Sequence, residues 1–137
     1  MILIAAAALV GGPNTAFACT CALQSPHVYA TNATVVFTGV VTSVNGFPLG
    51  LTCSSPSPVA VTFDVETVYK GNLPRAVTVH TVSSGASCGY TFETGKRYTV
   101  FPRMTGGKLD TGLCNGNVEG TIAAIEYGLQ GGRPPGN

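Results

Sequence analysis

The run Val59-Ala60-Val61-Thr62-Phe63-Asp64-Val65-Glu66-Thr67-Val68-Tyr69 alternates: Val59, Val61, Phe63, Val65 and Tyr69 fall on one side of an extended chain, and Thr62, Asp64 and Glu66 on the other. Successive side chains of a strand point to opposite faces, so the pattern predicts a half-buried β-strand. Lys70-Gly71-Asn72 follows as a turn signal, and Arg75–Val82 resumes the alternation with Val77, Val79 and Thr81. Upstream, Thr34–Val44 is a long β-branched run interrupted by Gly39, a position suited to a bulge or bend. Arg97–Pro102 and Lys108–Leu113 supply two further strands. Ser25-Pro26 is a helix-start signal, with Ser25 as N-cap and Pro26 at the first helical position, which predicts a short helix over 26–31. Ile122, Ile125 and Leu129 recur at helical spacing and predict a second helix within Gly120–Leu129. The Gly/Pro-rich segment 131–137 reads as a flexible C-terminal tail.

Composition agrees with this. Of 137 residues, 17 are Thr, 16 Val, 18 Gly and 9 Pro, and none is Trp, a β-former and turn composition unsuited to a helical bundle. The length supports one domain. Five strand-like runs, the first long and coiled, with a short helix near each end, predict an all-β fold: a five-stranded Greek-key barrel of the OB type. An immunoglobulin-like sandwich is the competitor, but it requires about seven strands and, in antibody-type members, a core Trp. Between the first two strands, Asn45–Pro58 forms a long loop holding Cys53 and three prolines. Charged residues make up only 9 % of the chain and net charge is +1. Such a surface offers no basic face for nucleic acid or anionic membrane.

The N-terminus reads as an export leader. Ile2–Val10 is a continuous apolar run too short to span a bilayer, and it is followed by Gly11, Gly12 and Pro13. Ala16-Phe17-Ala18 places small residues where signal peptidase reads them, directly before Cys19. No Lys or Arg precedes Lys70, so the basic stretch usual in such leaders is missing. The expectation is a signal peptide over 1–18, a domain over 19–130, and a secreted, extracellular protein, or a periplasmic one in a Gram-negative bacterium. All five cysteines (Cys19, Cys21, Cys53, Cys88, Cys114) fall in the mature part, where an oxidising compartment favours disulfides. A Cys19–Cys21 bridge would close a very small strained ring, so each is expected to reach far along the chain. The odd count leaves one cysteine unpaired or bonded to another chain.

Signals for catalysis are weak. Gly85-Ala86-Ser87-Cys88-Gly89 matches G-x-S-x-G, but the nucleophile elbow needs a strand before it and a helix after it, and strand formers and a turn follow here. His27 and His80 are isolated, without a metal-ligand partner at a suitable spacing. Asp64 and Glu66 share the polar face of a strand, where a solvated role is the ordinary one. Asn32-Ala33-Thr34 is a glycosylation sequon, meaningful where the source glycosylates. Cys19-Thr20-Cys21 carries more chemical potential, as a redox pair, a soft-metal site or a pair of disulfide anchors, and the anchor reading is the strongest. No enzyme activity and no cofactor are expected.

The mature sequence resembles the N-terminal, netrin-like domain of the tissue inhibitors of metalloproteinases. The resemblance runs in order through Cys19-Thr20-Cys21-Ala22, Val36-Phe37-Thr38-Gly39, Val65-Glu66-Thr67-Val68-Tyr69-Lys70-Gly71, Ser87-Cys88-Gly89-Tyr90, Gly95-Lys96-Arg97-Tyr98 and Gly107-Lys108-Leu109 with Cys114. It implies an OB barrel, bridges Cys19–Cys88 and Cys21–Cys114, and Cys53 outside the pattern. Cys is lacking at both ends of the family's third disulfide. The resemblance also implies a function: inhibition of zinc metalloproteases, with the Cys19 amine and carbonyl chelating the target's zinc. Thr20 would enter the specificity pocket, and Ala22, Ser87 and Cys88 would lie beside it. A non-inhibitory netrin-like interaction module, linked into a disulfide dimer through Cys53, is the alternative.

Overall fold

The computed structural model describes residues 19–46, 58–83 and 88–136. The expected leader over 1–18, Cys53 and Ser87 therefore lie outside the described residues. One helix, α1 (Pro26–Asn32), precedes seven strands: β1 (Val36–Gly46), β2 (Pro58–Lys70), β3 (Ala76–Val82), β4 (Arg97–Val100), β5 (Arg103–Thr105), β6 (Lys108–Asp110) and β7 (Val118–Glu119). They form one sheet in the order β5-β6-β3-β2-β1-β4-β7. Every pairing is antiparallel except β3 with β6, where His80 faces Asp110 in parallel. The protein is mostly β, as its alternating runs predict.

Five of the seven strands fall in the five runs, two of them cut short, and β5 and β7 are additions outside any run. Arg97–Pro102 stops as a strand at Val100: Pro102 has no N–H to give a ladder, and the chain resumes as β5 only at Arg103. Lys108–Leu113 pairs only through Asp110. The two-residue β7 adds an edge on β4 that no periodicity announces.

The alternation of β2 holds from Val59 to Val65, all buried on the inner face, and then changes phase. Thr38 faces Thr67 and Gly39 faces Val65, so Glu66 has no partner on β1. This bulge returns Val68 to the main core beside Phe37, Val61, Phe63, Val79 and Val100. Tyr69, expected on the same face as Val65, instead packs in a second cluster with Ala30, Ala33, Val36 and Phe101. Gly39 is the residue that permits the close approach: a Cβ there would lie 2.8 Å from the Asp64 carbonyl oxygen.

Helix α1 begins as its sequence suggests, with Pro26 in the first turn, although the Ser25 side chain makes no capping bond. Its C-terminus is held by Lys70, whose Nζ donates to the carbonyls of Ala30 (2.9 Å), Thr31 (3.3 Å) and Ala33 (2.6 Å). A cation against the last carbonyls of a helix satisfies acceptors that have no partner inside the helix. The second predicted helix is not formed. Only a 3₁₀ turn over Ala124–Tyr127 exists, after an extended Ala123 and before a left-handed Gly128. Ile122 and Leu129 do pack on α1, but Ile125 is 85 % exposed. Three apolar positions at helical spacing therefore serve one turn and its flanks. Residues 131–136, read as a flexible tail, are pinned at two points. Arg133 and Val68 exchange both backbone bonds (2.8 and 3.0 Å), and the Gly136 N–H donates to Leu73 O (2.8 Å).

Candidate functional site: the disulfide-anchored N-terminal segment

Cys19 is bridged to Cys88 and Cys21 to Cys114, with Cα–Cα separations of 5.4 and 5.2 Å. These are the pairings the resemblance implies. Between and beyond the anchors the segment stands out from the body: Thr20, Cys21, Ala22, Leu23 and Gln24 are exposed, and Leu23 is 96 % exposed. Neither core cluster includes any of them. Of the residues expected to act together, Cys19, Thr20, Cys21, Ala22 and Cys88 are thus brought to one place by sulfur.

The receiving ends are built by the sheet. Strand β3 ends near Val82, and Tyr90 is fixed where its N–H donates to Thr81 Oγ1 (3.0 Å). Cys88 adopts φ 67°, a left-handed conformation uncommon for a residue with a side chain. Its carbonyl accepts from the Leu113 N–H (2.8 Å), and a Cβ on Gly112 would come within 2.6 Å of that same oxygen. The two anchors therefore share one loop, residues 111–114, with Cys88 against its middle and Cys114 at its end. Thr111 ties the loop to β3 by donating its N–H to His80 O (2.9 Å).

Two side chains that the sequence reading did not single out hold this loop. Where Pro102 breaks the strand, the Phe101 N–H donates to Asn117 Oδ1 (2.9 Å) and Asn115 Nδ2 donates to Phe101 O (3.0 Å). Asn117 Nδ2 then donates to Thr111 Oγ1 (2.9 Å) and Gly112 O (3.2 Å). The two amides take up the Phe101 backbone groups at the break and fasten the Cys114 loop to the residue that follows β4. The only sequence signal was the turn-like Cys114-Asn115-Gly116-Asn117. A groove of about 450 Å³ runs beside the bridges, lined in part by Cys88, Arg103, Asp110, Gly112 and Cys114.

Glu66 accepts from Arg97 Nε (2.7 Å) and Nη2 (3.0 Å), and that bidentate contact holds its carboxyl below the usual carboxylate range. His27 lies on α1 with its Nε2 3.4 Å from Thr31 Oγ1. His80 sits mid-strand with Nδ1 buried and unpartnered. Burial, with Tyr98 and Glu119 nearby, pushes the Tyr90 hydroxyl up from its ordinary value. Among the described residues, no three His, Cys, Asp or Glu side chains converge as a metal site. No helix among them is long and apolar enough to cross a membrane. No family model matches the chain, and no curated protein matches it.

Proposed function

We propose that the chain is a secreted inhibitor of zinc metalloproteases, similar to the netrin-like domain of the tissue inhibitors, acting through the α-amine and carbonyl of Cys19. The observation that carries this reading is the pair of bridges that fixes Cys19 and Cys21 while leaving Thr20, Ala22 and Leu23 exposed. The sheet order supports an OB barrel. Strands β5 and β4 are separated in sequence only by Phe101 and Pro102, yet β5 leads through β6 to β3 and β4 pairs with β1. The path β1-β2-β3-β6-β5 is thus joined back to β4, the partner of β1, by a two-residue link, a connection compatible with a closed five-stranded barrel in which β4 and β5 count as one interrupted strand.

The mechanism follows from coordination chemistry. A catalytic protease zinc has three protein ligands and an open position that holds water. An N-terminal residue offers an amine nitrogen and a carbonyl oxygen that close a five-membered chelate ring on that metal. Chelation displaces the water that serves as nucleophile, and hydrolysis stops. The amine must be neutral to bind; free α-amines titrate at about 7.7–8.0, so deprotonation costs little near neutral pH. Anchoring by Cys88 removes much of the ordering cost that a loose N-terminus incurs on binding. Thr20 then enters the pocket next to the zinc, where its size sets which protease is blocked. The reading gives the protein no catalytic role and no cofactor, the metal being the target's.

The test compares a chain that begins at Cys19 with one carrying Ala18 as an extra N-terminal residue, against a panel of zinc metalloproteases. The first is expected to inhibit at least one of them and the second to lose that inhibition. Equal inhibition by both would exclude chelation by Cys19.

A further inference from the structure

The two bridges differ in their surroundings. Cys21 and Cys114 are both exposed, whereas Cys19 and Cys88 are partly buried. The Cys88 carbonyl also accepts from the Leu113 N–H, which ties that end of the Cys19–Cys88 bridge to the body. Thiol–disulfide exchange requires a thiolate to reach a sulfur, so access decides which bridge reacts first. The consequences of opening also differ on the two sides of Cys21–Cys114. The loop on the Cys114 side has fastenings besides the bridge, since Asn115 and Asn117 hydrogen-bond to Phe101, Thr111 and Gly112. On the Cys21 side, residues 20–24 are exposed and belong to neither core cluster, up to the start of α1 at Pro26.

We infer that Cys21–Cys114 is a thiol-operated lock on the N-terminal segment, opened by a dithiol reductant while the β-sheet stays folded. One thiolate of the dithiol attacks a sulfur of the bridge and expels the other as thiolate. The second thiolate then resolves the mixed disulfide. The chain gains two electrons and two protons, and the dithiol leaves as its own disulfide. Opening frees residues 20–25 between Cys19, still bonded to Cys88, and α1. As a regulator of inhibition the lock rests on the metalloprotease reading, because a loosened Cys21 no longer holds Thr20 and the Cys19 carbonyl in register. As a structural device it does not.

The test treats the oxidised protein with limiting dithiothreitol, traps free thiols with iodoacetamide, and maps the alkylated residues by mass spectrometry over time. Cys21 and Cys114 are expected to be alkylated at least about tenfold faster than Cys19 and Cys88. In the same samples, proteinase K should nick the chain between Cys21 and Ser25 about tenfold faster once the first bridge is open. Alkylation of Cys19 and Cys88 first, alkylation of all four together, or an unchanged nicking rate would each overturn the inference. A Cys21→Ser/Cys114→Ser chain should show the fast nicking without reductant; the wild-type labelling order decides the matter even if that variant does not fold. Inhibition is read separately. An oxidised protein that inhibits and loses the effect as Cys21 is alkylated supports the regulatory role, and one that keeps it overturns that role. An oxidised protein that never inhibits refutes the metalloprotease reading and leaves the labelling order to judge the lock.

Discussion

Thr38 on β1 and Thr99 on β4 place their hydroxyls 2.6 Å apart, with exposures of 1 % and 0 %. Thr99 Oγ1 also donates to the Gly120 carbonyl (2.8 Å). A hydroxyl has one proton, so Thr99 spends its own on Gly120 and the shared bond must run from Thr38 to Thr99. The two residues are therefore unequal. Thr38→Val deletes a donor and leaves Thr99 still bonded to Gly120, a net loss of about 0.5–1 kcal/mol. Thr99→Val orphans the buried Thr38 hydroxyl and the Gly120 carbonyl, and one buried unsatisfied group alone costs about 1–3 kcal/mol. The expected order is thus about 0.5–1 against about 2–3 kcal/mol. In the Thr99→Val background, adding Thr38→Val should be neutral or stabilising, because it removes the orphan. Urea unfolding of the four proteins with disulfides intact measures this cycle, and thermal midpoints should follow at roughly 4 °C per kcal/mol. A Thr38→Val loss equal to or greater than that of Thr99→Val, or simple additivity, would refute the donor assignment.

Gly39→Ala should destabilise by about 1–3 kcal/mol, since its Cβ would sit 2.8 Å from a strand carbonyl that no rotamer change can move. Gly131→Ala, with open space around it, serves as the neutral comparison in the same denaturation assay. Lys70→Met removes the cation shared by two carbonyls of α1 and that of its C-cap Ala33, and should cost about 1–2 kcal/mol, with faster hydrogen exchange confined to 28–33. The Glu66 carboxyl is held below its ordinary 4.5 by the Arg97 bond. Its contribution is therefore complete above pH 4.5 and is lost as pH falls through the lowered value. The pair is solvent-exposed, which limits that contribution to about 0.5 kcal/mol; Glu66→Gln should lower stability by that amount above pH 4.5, pH 10 included, and the difference from wild type should vanish in acid once the Glu66 carboxyl is protonated.

What the sequence revealed and what it hid follow from how far each signal reaches. Period-two alternation is local, so Val59–Val65 and Val77–Val79 announced their strands and inner faces directly. The Gly39 irregularity was visible as a glycine in a β-branched run. Its effect on Tyr69 was not, because a bulge changes the phase of its partner strand through pairing between residues distant in sequence. The break at Phe101–Pro102 was marked by the proline, but the repair by Asn115 and Asn117 depends on a loop returning 14–16 residues later. Ile122, Ile125 and Leu129 misled because helical spacing also arises when residues on either side of a single turn pack on one cluster, here that of Ala30 and Phe101, while the turn's own Ile125 faces outward. At the site, Cys19-Thr20-Cys21 was plain, and the family resemblance supplied the pairings that spacing left open. The single loop joining both anchors has no local signature, because Cys88 meets residues 111–114 only through the folded sheet.

The chelation claim is tested most directly at the metal. A zinc metalloprotease is reconstituted with Co(II), whose visible absorption reports its ligands, and titrated with the chain beginning at Cys19. Replacement of the bound water by the Cys19 nitrogen and oxygen should shift that spectrum in step with loss of activity, and selective acetylation of the Cys19 amine should abolish both. Inhibition that leaves the cobalt spectrum unchanged, or that survives acetylation, would contradict the account.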